Sequence, residues 1–117
     1  MTTKQKRYGI MAGLALLGLA ACSGQENDVR DVSLAVLVNQ AGQLDGSSVA
    51  TQGVVRHFED PLHYWIEDED LNRVEIFPHE LIEPHLGETV RVVGDFEYSP
   101  TEGRRLTLAS VEPVVRP

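Results

Sequence analysis

Four residues of the chain combine aromatic surface with positive charge at a spacing that suits ligand binding: Arg56, Trp65, Arg73 and Phe77. Trp65 is the only tryptophan and is flanked by Tyr64 and Ile66. Side chains alternate between the faces of a strand, so if Tyr64 and Ile66 point into a core, Trp65 points outward. Glu67, Arg73, Glu75 and Phe77 then fall on the same outer face. A tryptophan beside phenylalanine and arginine suits stacking against a sugar, a base or a peptide side chain. The competing expectation is that Trp65 packs beneath an N-terminal helix or a loop, since single aromatics usually find cover. A second group, His57, Asp60 and His63, surrounds an Asp60-Pro61 break. Two imidazoles and a carboxylate are a zinc donor set if the loop folds back, although the spacing matches no helical ligand pair. His79 and Glu83 are four apart and can share a helical face, which surface pairing explains. Asp68, Asp70 and Asn72 begin like a calcium loop. That pattern fails where Arg73 replaces the sixth-position glycine and His79 the twelfth-position glutamate. The sequence contains no nucleophile-elbow, zinc-protease or phosphate-loop pattern, and the expectation is a protein that is not an enzyme and carries no cofactor.

The one cysteine, Cys22, excludes an intramolecular disulfide framework and a cysteine-cluster metal site. Lys4, Lys6 and Arg7 precede the apolar run IMAGLALLGLAA at residues 10–21. As a helix that run spans about 18 Å, short of the ~30 Å hydrocarbon core. A basic stretch followed by a short apolar one reads as a secretory signal. The run ends in Leu19-Ala20-Ala21-Cys22, and here the chain resembles a bacterial lipoprotein precursor. The lipobox of that family is a branched apolar residue, two small residues and cysteine, and all four positions match. The resemblance implies a signal peptide over residues 1–21, cleavage before Cys22, a diacylglyceryl thioether on its sulfur and acylation of the new N-terminus, palmitate among the acyl chains. Two or three acyl chains hold a domain on a membrane where one alone binds marginally. Ser23, in place of the aspartate that retains such proteins on the inner membrane, favours the outer membrane. The expected address is the cell envelope, facing the periplasm. Residues 23–28, SGQEND, continue as a polar tether, and residues 22–30 are assigned to the lipidated cysteine and its linker.

The elements that must position the candidate residues lie in residues 31–117, room for one small domain. Asp31 or Ser33 is placed to cap a short helix carrying Leu34, Leu37 and Val38, ended by Gly42 and by Leu44-Asp45-Gly46. Strands are predicted over residues 48–59, 63–67, 73–77, 89–98 and 105–114. Asn72 is expected in the left-handed position of the turn at 68–72. Residues 78–86 predict a short helix, bent by Pro84 and ended by Gly87, with Ile82 and Leu86 on one face. Alternation assigns Val49, Val55, Tyr64, Ile66, Val74, Ile76, Val90, Val92, Phe96, Leu106, Leu108 and Val111 to the core, with Ile82 and Leu86 plugging one end. A faint repeat supports this. Gly46 and Gly87 are each followed by valine three residues on and by a second glycine, Gly53 or Gly94, seven residues on. A glycine at equivalent places inside two strands suggests that both must bend, as in a small closed barrel.

Over about residues 44–114 the chain resembles the OB-fold: three strands, a helix, two strands. The segments carrying this are L-D-G-x-x-V-x-x-x-G-V-V, Y-W-I-E-D-E-D, L-G-E-T-V and V-x-V-V-G-x-F. The expected fold is therefore all-β with a short helix, a five-stranded OB-fold-like Greek-key barrel preceded by a short N-terminal helix. The resemblance implies that the second and third strands present the ligand surface. Periplasmic haem chaperones also use a tethered OB-fold, but they place a histidine and a tyrosine in a C-terminal extension, and no histidine follows His85.

Charge narrows the partners. The chain is −8 overall, yet residues 22–117 hold seven Arg, no Lys and all 18 acids, a balance of −11. Affinity for nucleic acid comes mainly from Lys and Arg on phosphates, so nucleic acid is an unlikely partner despite the fold. A hydrophobic fraction of 42% suffices for a small core and argues against disorder throughout. The leading expectation is a non-enzymatic binding module for an envelope protein, peptide or glycan, using Trp65, Arg73, Phe77 and Arg56. The alternative is a metal-binding envelope lipoprotein using His57, Asp60 and His63.

Overall fold

Apolar and polar residues alternate through the valine-rich segments, and the computed structural model, which describes residues 28–115, folds them as strands. In chain order the elements are β1 (Arg30–Asp31), α1 (Leu34–Asn39), α2 (Ala41–Leu44), β2 (Ser48–Glu59), β3 (Leu62–Glu67), β4 (Arg73–Phe77), α3 (His79–Ile82), a 3-10 turn (Glu83–His85), β5 (Thr89–Ser99) and β6 (Gly103–Pro113). The signal-like segment, Cys22, Ser23 and the tether as far as residue 27 lie outside the described residues.

The sheet order is β1-β2-β3-β4-β6-β5, and β2 also pairs with β5. That last pairing closes β2 to β6 into a five-stranded barrel. β2 is long enough to serve both sides: Ser48 to Val54 pair with β5, and Val54 to Glu59 with β3. β4 and β6 run parallel while the other pairs of the barrel are antiparallel. Three strands, a helix and two strands closed in this order are the OB-fold arrangement expected from the sequence. β1 adds a two-residue parallel pairing at the start of β2, Arg30 opposite Val49 and Asp31 opposite Ala50.

Pleat alternation fills the barrel. Val49, Val55, Ile66, Val74, Ile76, Val90, Val92, Phe96 and Leu106 are fully enclosed, with Tyr64 and Leu108 nearly so. Val111 is half-buried against this core. α1 and α2 supply Leu34, Leu37, Ala41 and Leu44, and α3 supplies Ile82. Of the two candidate caps, Ser33 is the one used, its side chain accepting from the Val36 N–H at 3.2 Å. Asp31 instead accepts from Arg91 at 3.1 Å. Gly42 does not end the helix as expected; it sits inside α2, and the chain leaves the helix at Leu44.

The repeated glycines have separate tasks. Gly46 and Gly87 adopt φ of 87° and 84°, which lets the chain turn into β2 and β5. At Gly94, a Cβ would lie 2.3 Å from the Thr107 carbonyl oxygen, and the β5–β6 register slips between Val93 and Gly94. Gly53 shows no bulge; its bare backbone makes room for Leu34, whose Cδ1 lies 2.9 Å from where a Cβ would stand.

Two leucines depart from expectation. Leu86 does not plug the barrel: it is 44% exposed, while Ile82 is completely buried. The helix tightens into a 3-10 turn at Glu83-Pro84, and winding at three residues per turn carries Leu86 off the face of Ile82. In the 68–72 turn, Leu71 rather than Asn72 takes the left-handed position, with φ of 65°. Asn72 is engaged elsewhere, donating through its backbone and side-chain N–H groups to Asp68 at 2.9 Å each.

Candidate functional site

The register of β2, β3 and β4 assembles the aromatic and cationic residues on one outer face. Trp65 stands opposite Arg56 on one side and Glu75 on the other, and Glu67 opposite Arg73. Since Tyr64 and Ile66 are buried, Trp65 projects outward, half-buried, as alternation requires. Its cover comes from neighbours on the sheet. The Arg73 guanidinium lies 4.7 Å over the indole, and the His63 ring is 5.2 Å away.

Glu67 organises this face. Its Oε1 accepts from the Trp65 indole N–H at 2.9 Å and lies 3.5 Å from Arg73 Nη2. Its Oε2 accepts from Arg56 Nε at 3.4 Å. The Glu67 side chain is only 15% exposed, against 51% for Arg56 and 46% for Arg73. The Trp65 hydrogen bond, followed by the two guanidiniums, holds the carboxyl below the ordinary glutamate range against the opposing effect of burial. Glu67 thus stays ionised and fixes one indole and two cations. Phe77 lies further along the same face, with Arg105 at 4.6 Å over its ring and His79 stacked at 5.6 Å. All four expected ligand residues share this outer surface, with Arg56, Trp65 and Arg73 joined through Glu67 and Phe77 set apart from them.

Beside this cluster runs a groove of about 450 Å³ whose lining includes Arg56, Trp65, Arg73, Leu71 and Leu86. A second trough of about 460 Å³ along Gln52, Gly53 and Val54 shares Arg56, Glu67 and Leu71 with it. The Leu71 wall is held by Asp68, whose Oδ1 accepts from the Asp70 and Asn72 backbone N–H groups at 2.9 Å. Donation from the Asn72 side chain, above all, keeps the Asp68 carboxyl below its usual range.

The expected metal group does not form. His57 pairs with Tyr64, and Phe58 with His63, so the pleat sends the two imidazoles to opposite faces of the hairpin. His57 stacks on Tyr64 at 5.6 Å and meets Glu59 at 3.1 Å. His63 Nδ1 lies 3.0 Å from the Pro61 carbonyl oxygen. Asp60 joins neither, and among the described residues no group of three His, Cys, Asp or Glu side chains converges. Sequence reasoning placed both histidines inside strands but did not apply to them the parity that separates them. It also missed Glu67 as the hub, His63 as a neighbour of Trp65, and Leu71 and Leu86 as groove walls. The signal for Glu67 was its i+2 position after Trp65 on the outer face; neither leucine carried one.

No protein-family model matches the chain, and no curated protein matches it. Among solved structures it is similar to OBody AM1L10 bound to hen egg-white lysozyme, with 18% identity over 64% of this chain and 85% of that one, at a TM-score of 0.49. It is also similar to the hypothetical protein ygiW from E. coli, with 16% identity over 74% of this chain and 90% of that one, again at 0.49.

Proposed function

We propose that this chain is a lipid-anchored, non-enzymatic binding module of the bacterial cell envelope. In this reading the outer face of β3 and β4 engages an envelope protein, peptide or glycan. The observation that carries it is the treatment of the only tryptophan: a half-buried Glu67 fixes Trp65 on the outside of the barrel, among Arg56, Arg73 and His63. The indole stands outside the barrel core, next to two half-exposed guanidiniums. The lipobox and Ser23 support an address on the outer membrane, facing the periplasm. The balance of −11 over residues 22–117 supports a partner other than nucleic acid.

Site-specific photocrosslinking in intact cells tests this reading. A photoreactive residue at Phe77 is expected to give discrete adducts that Trp65→Ala abolishes. The same group at Glu112, which pairs with Arg91 on β5, is expected to give none. Equal labelling from both positions, or none from Phe77, overturns the assignment of this face.

A further inference from the structure

Leu71 is anomalous in two ways at once. It is 62% exposed, and its φ of 65° lies where a Cβ makes the backbone unfavourable for residues other than glycine. No burial offsets that strain. The turn is nonetheless firmly built: the Asp68 carbonyl accepts from the Leu71 N–H at 3.1 Å, and the Asp68 carboxylate takes three further donations from Asp70 and Asn72. Backbone strain that survives in a rigid turn without packing points to a use for the side chain it displays. Leu86, displaced from the barrel by the 3-10 turn, also lines the groove. The same groove is lined by Arg56, Trp65, Glu67 and Arg73.

We infer that this groove binds an extended peptide segment carrying one carboxylate flanked by leucine-sized apolar side chains. The inference deepens the proposed binding face and rests on that reading. Charge complementarity selects the carboxylate. Arg56 and Arg73 share the single Glu67 carboxylate at 3.4 and 3.5 Å, long contacts that leave donors of both exposed guanidiniums for a second acceptor. Arginine forks match a planar carboxylate in two-bond geometry. Leu71 and Leu86 supply apolar contacts for the neighbouring side chains. The two troughs share Arg56, Glu67 and Leu71, so a chain laid in one can continue into the other. A sugar fits less well, because stacking needs an open aromatic face and Arg73 lies 4.7 Å over Trp65. A polyanion is disfavoured because Glu69 and Asp70 line the adjoining trough. One carboxylate, not a run of them, matches this surface.

The test uses the full chain in detergent micelles and three probes: acetyl-Ala-Leu-Glu-Leu-Ala-amide, its Gln-for-Glu twin, and chitotriose. The glutamate peptide is expected to shift the methyl resonances of Leu71 and Leu86 and the indole N–H of Trp65. Removing the probe's charge, or changing Arg56→Gln or Arg73→Gln, is expected to weaken binding about tenfold, the usual scale for a charged hydrogen bond. Leu71→Gly separates function from folding. Glycine accepts the left-handed turn, so the melting temperature is expected to hold or rise while affinity falls several-fold. Equal binding of the two peptides, or a lower melting temperature with unchanged affinity in Leu71→Gly, overturns the inference. Chitotriose shifting Trp65 while the peptide does not also overturns it and leaves the face as a glycan site. If the peptide is silent while Phe77 still crosslinks in cells, the peptide inference alone falls. If both are silent, the binding face falls with it.

Discussion

Glu67 reaches its influence through three donors, one from Trp65 and the others from Arg56 and Arg73. Its carboxyl and that of Asp68 are both held below their ordinary ranges. Each therefore ionises at lower pH in the folded protein than in the unfolded chain, so each contributes stability that is complete above the unfolded value, about 4. That contribution disappears as pH falls through the lower, folded value. Glu67→Gln is expected to melt below the parent at pH 7 and to lose less stability between pH 5 and pH 2; thermal melts across that range check it. A parent and variant with parallel pH profiles would show that the carboxylate contributes nothing. At this scale the sequence was partly legible. Outward projection of Trp65 follows from buried Tyr64 and Ile66, and the grouping with Arg73 and Phe77 follows from strand parity. Leu71 was hidden because left-handed propensity favours the adjacent Asn72, whose side chain was needed by Asp68 instead.

Among the elements, β5 and β6 show why a glycine inside a strand carries information. A Cβ at Gly94 meets backbone, the Thr107 carbonyl, at 2.3 Å, so no side chain can move aside to admit it. Gly94→Ala is expected to destabilise by about 2 kcal/mol or more, equivalent to a fall of roughly 8–16 °C in melting temperature for a domain of this size. Gly42→Ala is the control: nothing lies within 4 Å of its Cβ position and it sits in α2, so alanine is expected to be neutral or stabilising. Similar melts for the two variants would refute the distinction. Gly94 was a readable sign of a bent strand, whereas its counterpart Gly53 makes room for Leu34 without a bulge. The end of the helical segment was less readable, because apolar spacing puts Ile82 and Leu86 together only if the winding stays at 3.6 residues per turn. Glu83-Pro84 tightens it. His57 and His63 were grouped by their nearness to Asp60-Pro61, although the parity of their strands keeps them apart.

For the molecule as a whole, charge and address bear on the same question. The described residues contain no helix long and apolar enough to cross a membrane, so on the proposed reading attachment depends on Cys22. Cys22→Ser is expected to leave the precursor uncleaved and without acyl groups. Intact-mass spectrometry of the membrane and soluble fractions checks this, and a parent protein bearing its first methionine and no lipid would refute the anchor. The order of strands was legible because the OB-fold resemblance rests on element sequence and spacing, which the barrel reproduces. β1 was not, because two residues carry no periodicity.

The position of β6 between β4 and β5 has a consequence for how the chain is made. Synthesis runs from the N-terminus, so this strand is the last of the barrel to emerge, yet two earlier strands depend on it for their hydrogen-bonding partners. Until Gly103–Pro113 is available, both remain with bare margins and the cylinder stays open. Sealing of the interior thus waits for β6, and a chain cut short before Gly103 is an unsealed half-shell prone to aggregation.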